Sequence, residues 1–287
     1  MQVNGIIAEY NPFHNGHKYQ LEEARRRTCA GYTIIAMSGN FVQRGAPALM
    51  DKYSRTRMAL GCGADLVLEL PSLFATASAE YFSTGGVCLL NGTGVVTHLG
   101  FGAETDNTQL LSALADVLSK EPEQYRQYLR RQLKAGVSFP AARSAALRNY
   151  IATEMPSLLQ NYHTESTSPD FPPSHTTFSE IEDILASPNN ILALEYLQAL
   201  AACGSAIIPT PILRKGSGYH DTAITQDFCS ASAIRSCLKE KLSSLQTVKQ
   251  THIANSPAKN GSSPIPETAM PKTAYDILHD YAHPFLF

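Results

Sequence analysis

The chain has 287 residues, 44% hydrophobic and 17% charged, with a formal net charge of −2. That is an ordinary globular composition, long enough for one large domain or two small ones, and it carries no global basic signal for nucleic acid. No apolar run reaches membrane length, and the six cysteines (Cys29, Cys62, Cys88, Cys203, Cys229 and Cys237) form no C-x-x-C, so no membrane span, zinc site or disulfide framework is expected. With no charged-then-apolar leader before the first strand, a cytoplasmic, reduced protein is the expectation.

Val3-Asn4-Gly5-Ile6-Ile7-Ala8-Glu9-Tyr10 reads as a first buried strand. Asn11-Pro12 is a turn signal, and Gly16 to Arg27 reads as a helix. The tetrad His14-Asn15-Gly16-His17 therefore falls at a strand-to-helix junction, where backbone N–H groups and a positive helix end suit a phosphate. Two imidazoles three residues apart face the same way, and Gly16 leaves the backbone open to a nucleotide. Their donors would bind more tightly as charge builds on a phosphate in a transition state. The same four residues also read as capping or surface histidines.

Further along, Thr33 to Ser38 reads as a second strand, Asp51 to Leu60 as a helix, and Ala64 to Pro71 as a third strand. Ala77 to Leu90 is a small-residue helix, and Val95 to Gly102 a fourth strand ending in glycine. Near-continuous Val, Ile and Leu strands alternating with helices predict an α/β fold with a parallel, doubly wound sheet. Ligands in such sheets lie beyond the carboxyl ends of the strands, which singles out Asn11 to Lys18, Ser38 to Arg44, Pro71 to Ala75 and Gly102 to Glu104.

Asp106 to Ile151 is helical in pattern, with breaks at Glu121-Pro122 and Phe139-Pro140. Within it Arg126, Arg130, Arg131, Lys134, Arg143 and Arg148 form a basic run that reads either as a solvated helical face or as a phosphate-backbone surface. Asn161 to Thr177 reads as a loop, Ile191 to Ala202 as a helix, and Ala206 to Pro209 as a last strand. Arg214 to Asp221 is a cationic, glycine-containing loop that could cover phosphates. Ser230-Ala231-Ser232-Ala233-Ile234-Arg235 starts another helix, either as a simple N-cap or as a phosphate-facing set of Ser230, Ser232 and Arg235. Ser243 to Thr273 is poor in large apolar residues and reads as a linker, followed by one short helix to Tyr281.

The order of these motifs, His14-x-Gly16-His17 first and S-A-S-A-I-R late, resembles the H-x-G-H nucleotidylyltransferase superfamily. The longer runs Val3 to His17, Ala36 to Gly45, Asp65 to Pro71, Pro188 to Leu192 and Gly218 to Asp221 resemble the bacterial tRNA(Met) cytidine acetate ligases. This resemblance implies a Rossmann-like catalytic domain over 1–242 with a helical insert at about 106–190, a linker at 243–272, and at 273–287 the start of a C-terminal helical domain that is truncated. It implies ATP-dependent activation of acetate to acetyl-adenylate. The acetyl group then passes to N4 of the wobble cytidine of elongator tRNA(Met). The ATP site it implies is Ile7-Ala8-Glu9-Tyr10-Asn11-Pro12-Phe13-His14-Asn15-Gly16-His17-Lys18-Tyr19-Gln20, with Gly102, Asn189 and Arg214. His14 and His17 are the catalytic pair. Mg²⁺ is expected on ATP oxygens and water rather than in a carboxylate cage, so no metal-ligating residue is assigned. Gly102 at a strand end would leave room for adenine or ribose, Arg214 would meet phosphate, and Asn189 reads either as a site residue or as a cap. The Asn161 to Thr177 stretch departs from the family as an insertion, and Gly102 to Asp106 lacks an expected glycine after the acidic residue. Two other readings stay open: an adenylyltransferase acting on a phosphorylated cofactor precursor, and a non-catalytic nucleotide- or RNA-binding module.

Overall fold

The structure, a computed structural model, describes residues 1–105, 107–156, 178–214, 230–240 and 267–286. The expected loop at 161–177, most of the loop after Arg214 and the linker to residue 266 lie outside the described residues. Five strands, β1 (Val3–Ala8), β2 (Tyr32–Ser38), β3 (Leu66–Leu70), β4 (His98–Ala103) and β5 (Ile208–Leu213), form one all-parallel sheet in the order β3-β2-β1-β4-β5. The chain runs outward from β1 to β3, then crosses back to β4. The switch point between β1 and β4 opens a crevice at their carboxyl ends, the position at which such sheets bind ligands.

Helices α1 (Asn15–Thr28), α2 (Lys52–Gly61), α3 (Ser72–Ala75) and α4 (Ala79–Gly92) join the first four strands. Two cores result, one on each face. Ile6, Ile35, Met37, Leu21 and Met58 pack on the α1–α2 side, while Ile7, Ile34, Ala36, Val87 and Leu90 pack on the α4 side. Alternation within each strand sends neighbours to opposite cores, which is why β1 and β2 are apolar throughout. Gly86 allows α4 to approach β1, since a Cβ there would lie 2.6 Å from Ile7 Cδ1.

The last strand sits later than the sequence suggests, at Ile208–Leu213 rather than 206–209. Pro209 and Pro211 lie within it because β5 is an edge strand, where a missing N–H costs no ladder bond on the open side.

Helices α5 (Thr108–Lys120), α6 (Glu123–Lys134), α7 (Phe139–Glu154), α8 (Phe178–Ala186) and α9 (Pro188–Ala202) follow β4. The breaks fall at Pro122 and near Phe139, as the sequence indicates, whereas α8 has no counterpart in the sequence reading. These helices build a third core of their own around Leu110, Leu114, Tyr125, Leu147, Ile151 and Ile184. Leu194 and Leu197 of α9 belong to this core, while Ala193, Tyr196 and Leu200 face the sheet-side core. A helix buried on two sides carries apolar residues all round, so α9 is the wall shared by the insert and the sheet.

Residues 231–240 form α10, and α11 (Lys272–Leu286) follows a 3₁₀ turn at Glu267–Ala269. Ala274, Tyr275 and Leu278 of α11 share the core of Met58 and Ala59 on α2. The described part of the expected C-terminal segment therefore completes the core of the sheet layer instead of standing apart from it. Cys88 and Cys203, 115 residues apart, approach to 3.0 Å between sulfurs as free thiols, a proximity with no sequence signature. No helix among the described residues is long and apolar enough to cross a membrane.

Candidate active site

The junction between β1 and α1 is held by the two histidines themselves. His14 is the N-cap of α1, and its Nδ1 accepts the Gly16 N–H at 3.0 Å. His17 Nδ1 accepts the His14 N–H at 3.3 Å, completing a reciprocal capping box in which imidazoles take the usual hydroxyl and carboxylate roles. An Nδ1 that accepts a hydrogen bond is unprotonated, so each neutral ring carries its proton on Nε2. The rings lie 3.7 Å apart between centroids, and both line the crevice. The capping reading and the catalytic reading of the tetrad are thus compatible: one nitrogen of each ring serves the helix, and the other is left as a donor.

Burial pulls the His14 pKa down to about 3, with Arg214 and Arg235 adding repulsion. Burial also lowers His17 well below the usual histidine range, helped by His14 and Arg214. Both rings are therefore neutral at physiological pH. Tyr10 and Phe13 wedge His17 in place, with edge contacts at 4.8 Å for Tyr10 and a tilted contact at 5.5 Å for Phe13.

Across the crevice, residues far apart in sequence meet. Asn189, on the first turn of α9, donates through Nδ2 to Glu104 Oε1 at 2.8 Å. Its Oδ1 accepts from Arg214 Nη1 at 3.0 Å, and Arg214 Nε lies 3.4 Å from Glu104 Oε1. Asn189 is therefore no cap. Asn190 beside it accepts the Glu104 N–H at 2.8 Å. Arg214 is a partnered guanidinium rather than an isolated cation. A Cβ on Gly102 would lie 3.5 Å from Arg214 Cγ, an ordinary contact, so the arginine stem packs beside the glycine.

The third side is α10. Ser230 Oγ accepts the Ala233 N–H at 3.1 Å, an N-cap bond. Arg235 donates to the Asn11 carbonyl at 2.6 Å and to Ser232 Oγ at 3.0 Å, tying α10 to the β1 turn. Beneath the turn, fully buried Arg55 donates to the carbonyls of Met50, Glu9 and Gly39, and so joins the ends of β1 and β2.

Together these elements enclose a cavity of about 280 Å³, adjoined by one of about 80 Å³. His14, His17, Gln20, Gly102 and Arg214 line both. Ile7, Ala8, Glu9, Tyr10 and Asn11 line the larger, as do Asn189, Ser230, Ser232 and Arg235; Gly16 and Tyr19 line the smaller. Four residues of the implied ATP segment line neither. Pro12 is buried, Phe13 packs under His17, Asn15 donates to the Thr268 carbonyl at 2.6 Å, and Lys18 faces out toward Glu22. A helix turns 100° per residue, so a consecutive segment cannot present every side chain to one crevice.

Gln43, Phe82, Phe101, Leu192 and Tyr196 also line the larger cavity, none of them assigned to the site from sequence. Gln43 lies just beyond β2 in the run Met37 to Gly45, and Leu192 ends the run Pro188 to Leu192. In the basic run, Arg126 pairs with Glu123 at 2.9 Å, Arg148 with Glu182, and Arg143 lies 3.8 Å from Glu195. Those three are committed to carboxylates.

A parallel sheet of this order, with paired imidazoles at the first helix N-terminus facing the switch point, defines a nucleotide-handling α/β domain. The HIGH Nucleotidyl Transferase family matches residues 1–283, and the chain belongs to it. It is 43% identical over 271 residues to the tRNA(Met) cytidine acetate ligase of Halothermothrix orenii, covering 92% of this chain and 60% of that protein. It is 40% identical over 280 residues to the enzyme of the same name from Acetivibrio thermocellus, covering 98% and 58%. The crystal structure of apo Thermotoga maritima TmcAL superimposes with a TM-score of 0.78 at 36% identity, covering 99% of this chain and 57% of that one. The same protein bound with alpha-thio ATP gives a TM-score of 0.75 at 36% identity. The chain thus spans about 60% of the length of these relatives.

Proposed function

We propose that this protein binds ATP in the crevice between β1 and β4, and joins acetate to AMP with release of pyrophosphate. It then transfers the acetyl group to N4 of the wobble cytidine of elongator tRNA(Met). The observation that carries this reading is the pair of Nδ1-anchored, neutral imidazoles whose Nε2–H donors are left over at a helix N-terminus. Kinship to proteins named for the acetate ligase reaction, and to one seen with an ATP analogue, supports it.

The chemistry follows from the charges. Acetate has no leaving group, so it must first be joined to one, and AMP serves. As the acetate oxygen attacks the α-phosphorus, negative charge grows on the phosphate oxygens and on departing pyrophosphate. Neutral imidazole donors fixed in advance stabilise that charge without reorganising. Arg214, steered by Glu104 and Asn189, adds a positioned guanidinium. Mg²⁺ would enter on the ATP phosphates, held by their oxygens and water.

Incubation with ATP, labelled acetate and tRNA, followed by digestion of the tRNA, tests the reading. Labelled N4-acetylcytidine with free AMP is expected. AMP retained in a dinucleotide product would point instead to an adenylyltransferase of a cofactor precursor.

A further inference from the structure

The adenylation chemistry makes no use of Cys88 and Cys203, yet the fold brings their sulfurs within 3.0 Å of each other. Cys88 lies toward the C-terminal end of α4 and is exposed, whereas Cys203 is the C-cap of α9 and is half-buried. The two helices belong to different parts of the molecule. α4 joins β3 to β4 in the sheet layer, and α9 ends the helical insert. They share one core, to which α4 gives Phe82, Val87 and Leu90 and α9 gives Ala193, Tyr196 and Leu200. Close to the thiols in sequence, Ser205 Oγ donates to Asn91 Oδ1 at 2.8 Å, a second bond between the same two helix ends.

The arrangement suits a bond that opens and closes. A disulfide sets its sulfurs about 2 Å apart, so side-chain rotation has only about 1 Å to close. In the reduced state the bond to Cys88 and burial lift the Cys203 thiol to about 11, so Cys203 keeps its proton and the resting pair is a dithiol. Cys88, being exposed, is the sulfur that a dissolved oxidant meets first.

We propose that Cys88 and Cys203 form a reversible redox site, closed by a peroxide into a disulfide that ties the helical insert to the sheet layer. In the first step the Cys88 thiolate attacks one peroxide oxygen. The O–O bond breaks, hydroxide leaves, and Cys88 becomes a sulfenic acid. Cys203 Sγ then attacks the Cys88 sulfur. The S–S bond forms, the S–O bond breaks, and the oxygen leaves as water with the proton given up by Cys203. The two sulfurs together lose two electrons, which reduce the peroxide to two waters, and a small thiol reductant returns the pair to the dithiol. A link between positions 115 residues apart restricts the open chain far more than the folded one, so it opposes separation of α9 from α4. α9 carries Asn189, Leu192 and Tyr196 to the crevice, so the link holds the side opposite the histidines, which are anchored within α1.

The test treats the reduced protein with hydrogen peroxide, removes the excess with catalase, and blocks the remaining thiols with N-ethylmaleimide. The parent protein is expected to take up two labels fewer than its untreated control. A digest run without reductant should contain a peptide joining Cys88 to Cys203, and dithiothreitol should restore both labels. Cys88→Ser and Cys203→Ser should each abolish the joined peptide, while Cys29→Ser, at the exposed C-cap of α1, should retain it. Hydrogen exchange of the α9 amides should slow roughly tenfold on oxidation of the parent, because the link suppresses local opening, and should not change in Cys88→Ser. Cys88 recovered only as a sulfinic acid, or joined to a different cysteine or to a second chain, overturns the site. A joined peptide with unaltered exchange in α9 overturns its role as a tie between insert and sheet.

Discussion

The two walls of the crevice are built by opposite means. The histidine wall is local. His14 and His17 are bound to backbone groups two and three residues away, and the same bonds start α1. The facing wall is assembled from afar: Asn189 reaches Glu104 across 85 residues, Arg214 reaches Asn189 across 25, and Arg235 reaches Asn11 across 224. The first wall is therefore preorganised by secondary structure alone. The second exists only when sheet, insert and α10 have docked. Transition-state donors gain most from rigidity, and they sit on the wall that forms with its own helix.

The largest expected effect breaks the first wall. His14→Ala or His17→Ala should lower pyrophosphate release by roughly 10²- to 10³-fold, the usual loss for a transition-state donor. His14→Ala also removes an N-cap, worth about 1 kcal/mol. His14→Asn separates the two roles, because an asparagine side chain caps a helix but places no donor where Nε2 stood. Near-parental melting with activity as low as His14→Ala is expected. Activity recovered by asparagine would mean that His14 acts only through the helix.

That contrast also explains what could be read from the sequence. β1, the turn, the tetrad and α1 are contiguous, so spacing located them within a residue or two. The doubly wound sheet followed from apolar strands alternating with helices. Gly102, Asn189 and Arg214 were legible by resemblance, but their partner Glu104 was not assigned, because an ion pair across 85 residues leaves no spacing. Phe82 and Tyr196 carry no site signal for another reason: on helices they look like ordinary core, and burial agrees. β5 runs four residues beyond the expected end because Pro209 and Pro211 interrupt its apolar run, yet an edge strand tolerates both.

Next in size is the joint beneath both walls. Arg55 is fully buried and satisfies three backbone carbonyls. Arg55→Met keeps the volume but strands those acceptors, and should cost about 3 kcal/mol in a urea melt. Arg26→Met is the matched control. Arg26 is exposed and pairs with Glu23 at 2.7 Å on the surface, so little change in the melt is expected. Equal losses would deny Arg55 its place as the tie between β1 and β2.

Smaller again is the effect of loosening the facing wall. Arg214→Lys preserves the charge but cannot hold Asn189 and approach Glu104 with separate guanidinium nitrogens. A drop of about tenfold in kcat/KM for ATP is expected, with melting nearly unchanged. Asn189→Ala should fall in the same direction, and the double variant should lose less than the product of the two, since both disturb one network.

The last effect is a pH dependence of stability, small per pH unit, to which the local wall contributes through its two histidines. His14 and His17 are held neutral in the folded state, His14 down to about pH 3, while in the unfolded chain they protonate near the ordinary value of about 6.5. Below that value the unfolded state binds more protons than the folded one, so stability is lost as pH falls. Between pH 7 and pH 6 the two rings together should account for roughly 1.4 kcal/mol. Glu9 acts with the opposite sign: its pKa is raised on folding, so the folded state binds the extra proton and gains stability as pH falls toward the carboxylate range. The histidine contribution therefore has to be isolated by difference. Urea midpoints of the parent and of a His14→Asn, His17→Gln double variant, taken every half unit from pH 7.5 to 5, should converge as the pH falls. A constant separation across that range would mean that the two rings protonate in the folded crevice as readily as in water, and their standing as neutral Nε2–H donors would go with it.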